Sequence, residues 1–546
     1  MLIDSDIKSK KGSKIIFDTL KNLGVDTIFG YPGGIVLDLY NEIYVGSGIK
    51  HILTRHEQAA VHAAEGYAKE TGKCGVVLVT SGPGATNTVS GIVNAYLDGC
   101  PLVIITGQVY SNLLGKNAFQ EANICDIAKS CTKKVYQLKS AAYIQKTLYD
   151  AFKSANSGKK GPVVIDIPKD VFEQMYDVDI SLELENNLQL TENSNINIDK
   201  FISRLNSVTK PVIVAGGGVN QANAEKELRK FADKFSIPVV NTMMGLGSFP
   251  QNSDNYFGMV GIFGDNSANE IVKNSDLVIS LGARFNDRIL CKFKDIDLAS
   301  KFVQIDINEA EISNFVDASE YFVSDIKDFL NVILAQSANI TAKFSDWSKN
   351  AQVFKAKNVK RVCKTNLLHS FEVLQEIESF TKSKNVTFTS EVGQHQLWAV
   401  QNLKFNENRK IFVSGGAGTM GYGLPAAIGA AVASPDKDIV CIAGDGSFQM
   451  NLPELATCKD YDLNVKIMVL DNGYLGMVRQ LQEKNFEGRY SETKISNPDF
   501  VTLAQSYNVP ALRVTNKEGV KPALVKAFST KGSFLIDFAV EPMETL

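Results

Sequence analysis

Apolar residues in this chain fall into short unbroken runs, separated by stretches in which they recur every three or four positions. Residues 75–80 set the type: GVVLVT, then a glycine loop, then a helical pattern over 87–96. A buried strand, a turn and a helix in that order predict parallel βαβ units. The alternation returns at 211–215, 277–280 and 302–305, and again at 438–443, 465–470 and 534–540. Residues 183–197 are rich in Asn, Glu and Ser without periodicity, as a linker is. A second weakly patterned polar stretch covers 337–364. The pattern therefore predicts an α/β protein of three doubly wound parallel-sheet domains, over residues 1–182, 198–336 and 365–546.

Bulk properties narrow the class. The 546 residues exceed the roughly 250–300 that a single core can serve. Hydrophobic content of 44% with 21% charged residues is that of globular domains. A net charge of -3 supplies no basic face, so no nucleic-acid partner is expected. The 8 cysteines show no CxxC spacing, which predicts reduced thiols in place of a zinc ribbon or disulfide framework. Residues 1–14 are polar and lysine-rich, and no run nears the ~20 apolar residues of a spanning helix. No secretory signal and no membrane anchor are expected, which makes a cytoplasmic location the default.

The strongest chemical signal is GDG at 444–446, followed by a helix, a strand and Asp471-Asn472. In a βαβ unit Asp445 and Asn472 then stand at the carboxyl ends of two parallel strands, the edge where open α/β sheets bind ligands. One carboxylate and one amide oxygen suit Mg²⁺, which takes its other ligands from water and phosphates. Gly444 and Gly446 let backbone N–H groups approach those phosphates. In the first block Glu57, within RHEQ at 55–58, follows a strand and opens a helix. A glutamate in an apolar pocket has its pKa raised and can share a proton with a ring nitrogen. In the middle block Gly216, Gly217 and Gly218 directly follow an apolar strand, as a tight turn or a phosphate-binding loop does.

The GDG and Asn pair resembles the diphosphate motif of thiamine diphosphate (ThDP) enzymes. The resemblance implies that Asp445, Asn472 and the backbone carbonyl of Tyr474 hold Mg²⁺, and that Asp471, where Asn is usual, is tolerated. Further motifs follow in order: GYPGG at 30–34, RHEQ at 55–58, SGPGATN at 81–87, ITGQ at 105–108, AFQE at 118–121, IPKD at 167–170, GQHQ at 393–396 and GTMG at 418–421. This series is similar to that of the acetolactate synthases over nearly the whole chain. The implied activity decarboxylates pyruvate and joins the two-carbon unit to a second 2-ketoacid, pyruvate or 2-ketobutyrate, in branched-chain amino acid biosynthesis.

By the same resemblance, Glu57 promotes the imino tautomer of ThDP, Gln120 lies near the thiazolium, and Phe119 lines the substrate site. Met420 is the bulky residue beneath the cofactor, and Gln394 and His395 touch its diphosphate. Gly33, Gly34, Pro83, Asn87, Ser447 and Met477 complete the ThDP contacts. The segments around Met244, Gly245, Arg284, Asp306 and Asp325, together with the triple glycine, resemble the family's binding elements for a structural FAD. Arg288 would fork onto the carboxylate of the second ketoacid, a bidentate task suited to arginine. The acceptor pocket would include Leu481, Val478 and Ile262.

Departures fall near that pocket. Leu481 replaces a usual tryptophan, Ile262-Phe263 a usual Met-His pair, and Tyr110-Ser111 a usual proline and basic residue. Such changes leave open a carboligase that gives the acetyl unit to another carbonyl, such as a nucleotide-linked keto sugar. A flavin-dependent pyruvate oxidase and a non-catalytic homologue are further alternatives, the last opposed by intact Glu57, Asp445 and Asn472. The family also implies a homodimer or homotetramer with ThDP held between two chains, and a regulatory small subunit among its partners.

Overall fold

The computed structural model describes residues 7–179, 197–357 and 365–546. The linker expected at 183–197 lies outside these residues apart from Asn197, and Cys363 lies outside them as well. The other seven cysteines are free thiols.

β1 (Ile7–Lys11) precedes a six-stranded parallel sheet of β2 (Thr27–Tyr31), β3 (Lys50–Leu53), β4 (Gly75–Val79), β5 (Leu102–Gln108), β6 (Lys134–Gln137) and β7 (Pro162–Pro168), in the order β3-β2-β4-β5-β7-β6. β8 (Met175–Asp179) returns to pair antiparallel with β1, Ile7 opposite Asp179. The hydrophobic pattern did not predict this clasp, because its members lie at opposite ends of the block.

The middle sheet holds β9 (Pro211–Ala215), β10 (Val239–Asn241), β11 (Tyr256–Met259), β12 (Leu277–Leu281), β13 (Phe302–Asp306) and β14 (Glu320–Val323), ordered β11-β10-β9-β12-β13-β14. The third holds β15 (Val386–Ser390), β16 (Arg409–Phe412), β17 (Asp438–Gly444), β18 (Val465–Asp471), β19 (Ala511–Val514) and β20 (Phe534–Ala539), ordered β16-β15-β17-β18-β20-β19. The first and third sheets thus share one strand order. The middle sheet has the order of dinucleotide-binding domains, with ligand crevices at the strands where the order reverses. β4, β5, β7, β9, β12, β13 and β18 are buried along their whole length, which explains why they read as continuous apolar runs.

The polar stretch at 337–364 is not a plain connector. It contains the helix Ser345–Ala351, whose Trp347 indole donates to the Pro211 carbonyl at 3.0 Å. Its buried positions, Ser348 and Ala351, are too small to mark an apolar face in the sequence.

The first and third sheets share one core. The helix Glu57–Thr71 packs along the helix Gly423–Ala433 with glycines at the contact. A Cβ on Gly66 would strike the Ala426 carbonyl, and one on Gly429 the Ala63 carbonyl. Among the described residues no helix is long and apolar enough to cross a membrane.

Candidate active site

Two half-sites form, one at the carboxyl edge of the first sheet and one at that of the third. In the first, the His56 ring accepts from the Gln58 amide at 3.1 Å and caps the helix that Glu57 opens. A carboxylate is favoured at a helix N-terminus by the unpaired N–H groups there. Glu57 Oε2 accepts from Asn87 Nδ2 at 3.0 Å. A Cβ on Gly33 would lie 2.5 Å from Thr80 Cβ, and one on Gly84 would lie 3.4 Å from Glu57 Oε1. Gly82 packs against the Gln120 carbonyl, where its Cβ would come within 2.7 Å, and Gln120 itself has φ 59°. Gly33, Pro83, Asn87, Glu57 and Gln120 therefore gather at one sheet edge, with Gly34 next to Gly33. The apolar pocket expected around Glu57 is not formed within one chain. Glu57 is half-buried beside a polar amide, and Phe119 is 88% exposed.

In the second half-site Asp445 is buried at the end of β17. Its Oδ1 accepts from the Gly446 amide at 3.0 Å, and its Oδ2 from the Gly473 amide at 2.7 Å and Asn497 Nδ2 at 2.7 Å. Burial, reinforced by the charge of Asp471, pushes its pKa up to about 7. Asn472 ends the neighbouring strand, and its Oδ1 accepts from the Tyr474 amide at 3.0 Å. Bonds from Leu475 N to Thr493 O (2.7 Å) and from Ile495 N to Gly473 O (3.0 Å) hold the backbone on either side of Tyr474. Asp471, next to Asn472, is held between two partners: its Oδ1 accepts from Asn497 Nδ2 at 2.7 Å and its Oδ2 lies 3.2 Å from Arg513.

Gln394 and His395 begin the helix after β15. A Cβ on Gly444 would lie 2.5 Å from His395 Nδ1, and one on Gly446 2.7 Å from Leu475 Cδ2. Ser447 donates to the Gly444 carbonyl at 3.2 Å and holds the turn. Gln394 Nε2 donates to Gln480 Oε1 at 2.6 Å, whereas Gln394 Oε1 and His395 Nε2 are buried with no hydrogen-bond partner among the described residues. Burial keeps His395 neutral, its pKa depressed to about 3. These groups border a cavity of about 80 Å³ together with Asp445, Asn472, Tyr474, Met420 and Met477. Its glycine walls and orphaned polar atoms fit a diphosphate. Among the described residues no three His, Cys, Asp or Glu side chains converge as a metal cluster. A metal at this edge would be held by one carboxylate with amide and carbonyl oxygens, the hard donors Mg²⁺ takes.

The middle sheet opens onto a larger cavity of about 1000 Å³, the upper end of the range for ligand sites. A Cβ on Gly218 would lie 2.7 Å from Gly282 Cα across the reversal between β9 and β12, and one on Gly217 3.1 Å from Met244 Cβ. Gly217, Gly218, Met244, Arg284, Asp306 and Asp325 line this cavity, with Gly216 and Gly245 tucked behind its wall. Its volume and its bare glycine turn fit a dinucleotide such as FAD. The Arg284 guanidinium is fixed on the Leu97 carbonyl at 3.0 Å. Asp306 is pushed above its usual range by burial. Arg288, Ile262 and Leu481 line the same cavity, and Met420, Met477 and Val478 border both cavities. The Arg288 side chain is 70% exposed and 3.7 Å from Asp287. Neither cavity is lined by Glu57, Gln120 or Phe119.

Sequence reasoning missed a buried network around Lys69. Lys69 Nζ meets Glu65 at 2.6 Å, Asp98 at 3.4 Å and the Tyr422 hydroxyl at 3.1 Å. Asp98 in turn accepts from the Gly415 and Gly416 amides at 3.2 and 2.8 Å and anchors the loop that carries Met420. It also missed Glu391, which caps the helix Gly423–Ala433 by accepting from Leu424 N at 3.1 Å, and Asn497. None of these residues belongs to a motif read in the sequence.

Profiles of three families match in succession: "Thiamine pyrophosphate enzyme, N-terminal TPP binding domain" over residues 10–127, the corresponding "central domain" over 198–333, and the "C-terminal TPP binding domain" over 391–538. The acetolactate synthase large subunit of Haemophilus influenzae is 38% identical, over 98% of this chain and 96% of its own length. That of Lactococcus lactis is 39% identical, over 98% and 94%. The acetolactate synthase isozyme 2 large subunit of Escherichia coli is 37% identical, over 98% and 96%.

Proposed function

The chain belongs to the acetolactate synthase large-subunit family of thiamine pyrophosphate enzymes, and we propose that it decarboxylates pyruvate and condenses the two-carbon unit with a second 2-ketoacid. The observation that carries this reading is the pairing of Asp445 and Asn472 at adjacent strand ends with the orphaned Gln394 and His395, beside a cavity that reaches Arg288 and Leu481. ThDP, when bound with Mg²⁺, would supply an acidic ring C–H and a cationic ring that takes up the electron pair left behind when CO₂ departs, while FAD would serve as a structural group.

The chain's own residues divide the remaining work. Asp445, Asn472 and the Tyr474 carbonyl would hold Mg²⁺, and Gln394, His395 and the glycine turn would receive the diphosphate. Glu57, oriented by Asn87, would exchange a proton with the aminopyrimidine, with Gln120 nearby. Met420, anchored through Asp98, would support the cofactor from below. Arg288 would orient the acceptor carboxylate against the wall made by Leu481, Val478 and Ile262. Since Glu57 borders neither cavity within one chain, we propose that the first half-site of one subunit completes the third-domain half-site of another, in a homodimer or a homotetramer. A smaller regulatory partner is part of the same proposal, as the relatives are named large subunits. We also propose the domain limits 1–182, 198–336 and 365–546, drawn from the alternation of strands and helices along the chain.

Incubation with pyruvate alone, in the presence of ThDP, Mg²⁺ and FAD, tests it. Acetolactate with CO₂ release is expected. Acetate with peroxide would assign a pyruvate oxidase, and no turnover without an added carbonyl acceptor would assign a different carboligase.

A further inference from the structure

Asn497 lies in the irregular segment ahead of the helix Phe500–Ser506, remote in sequence from both members of the GDG and Asn pair. Its amide nitrogen stands 2.7 Å from Asp445 Oδ2 and 2.7 Å from Asp471 Oδ1. An amide NH₂ has two hydrogens, so each carboxylate takes one. The amide oxygen accepts from Gln449 Nε2 at 3.0 Å, and the same Gln449 nitrogen donates to the Asp445 carbonyl at 3.1 Å. The orientation of Asn497 is therefore determined, because a flipped amide would set its oxygen against two carboxylates.

We infer that Asn497 is a positioning residue that aims Asp445 at the metal. Two donors, Asn497 Nδ2 and the Gly473 amide, occupy Asp445 Oδ2, while Oδ1 takes only the Gly446 amide and keeps a lone pair for a cation. Asp471 is the fixed post on the far side. Arg513 holds its other oxygen at 3.2 Å and is itself bound to Asp537 at 2.5 Å. Without Asn497, two buried carboxylates at neighbouring strand ends would face each other with no donor between them, and Asp445 would turn to relieve the repulsion. Partners of this kind, one step out from the ligand, are typically worth 10–100-fold in metal affinity.

The inference rests on the metal role given to Asp445 above, so the test separates the two. Mn²⁺ serves as the probe, titrated into the full chain with ThDP present and followed by the loss of its free electron-spin-resonance signal. Asn497→Ala is expected to weaken Mn²⁺ binding roughly 10–100-fold, with thermal unfolding of the metal-free chain close to native. The double variant Asn497→Ala with Asp471→Asn, which removes the repelling charge and supplies an amide donor, is expected to recover most of the loss. Native affinity in Asn497→Ala, with binding lost in Asp445→Ala, would overturn the inference alone. Native affinity in Asp445→Ala would overturn the metal assignment and the inference with it. A lowered unfolding temperature that accounts for the loss, with no recovery in the double variant, would show Asn497 to be a structural residue only.

Discussion

Glu57 and Asp445 stand at the carboxyl edges of two sheets with the same strand order, yet neither of the two cavities described above touches both. If one cofactor needs both residues, two chains must supply them. Glu57→Gln and Asp445→Ala homodimers should each be inactive, while a mixture allowed to exchange subunits should recover roughly a quarter of native activity. Random pairing makes half the dimers hybrid, each with one intact site. Continued inactivity after exchange, with hybrids demonstrated by mass spectrometry, would mean that each site is built within one chain.

Leu481 is 45% exposed and lines the wide cavity near Val478 and Met477. A leucine there offers less rigid wall to a longer acceptor than an indole would. One methylene is worth about 1–3 kcal/mol in such a pocket, so the native enzyme should show little preference for 2-ketobutyrate over pyruvate as acceptor. Leu481→Trp should raise that preference. Competition with both ketoacids present, scored by the ratio of acetohydroxybutyrate to acetolactate, checks this. A strong native bias toward acetohydroxybutyrate would mean that other residues shape the wall.

Metal binding should depend on pH through Asp445. In the metal-free chain burial pushes its pKa up to about 7, well above the ordinary aspartate value of 3.8. The folded chain therefore binds an extra proton between those values, and stability from this group declines as pH rises across that window. Mg²⁺ must displace the proton, so apparent affinity should rise about tenfold per pH unit below pH 7 and level off above it. Calorimetry in buffers of different ionisation enthalpy should find about one proton released per Mg²⁺ near pH 6 and almost none well above neutrality. Affinity independent of pH between about 5.5 and 7 would contradict the assignment.

The pairing of Asp445 and Asn472 was legible because both sit on consecutive βαβ turns, where strand pattern and glycine spacing locate them together. Glu57 was legible as the start of a helix. Its environment was not: the side chain is half-buried beside the Asn87 amide, and that contact across 30 residues leaves no trace in local pattern. Asn497, Asp98 and Glu391 were silent for a different reason. Each acts through a few long-range hydrogen bonds, which impose neither periodicity nor composition on their neighbours. The clasp of β1 and β8 escaped for the same cause, its register joining residues from the two ends of the first domain.

The Lys69 network should matter more to stability than to binding. Lys69→Met would leave Glu65 and Asp98, both with fully buried side chains, without their cation. Breaking a buried pair in this way costs about 3–5 kcal/mol. Denaturant unfolding should show a loss of that size, with a matching fall in Tm. Lys69→Arg should lose less. An unchanged unfolding midpoint in Lys69→Met would show that the two carboxylates find protons or other donors at no cost.

The close seam between the helices Glu57–Thr71 and Gly423–Ala433 carries a mechanical consequence. With glycine at each contact and carbonyls where a Cβ would have to go, the two helices have no slack in which to slide. The first and third domains of one chain then behave as a single stiff block. Any breathing that admits a ketoacid or releases a branched product must come from parts hinged on that block: the middle sheet, and the helix Gly476–Asn485 that carries Leu481.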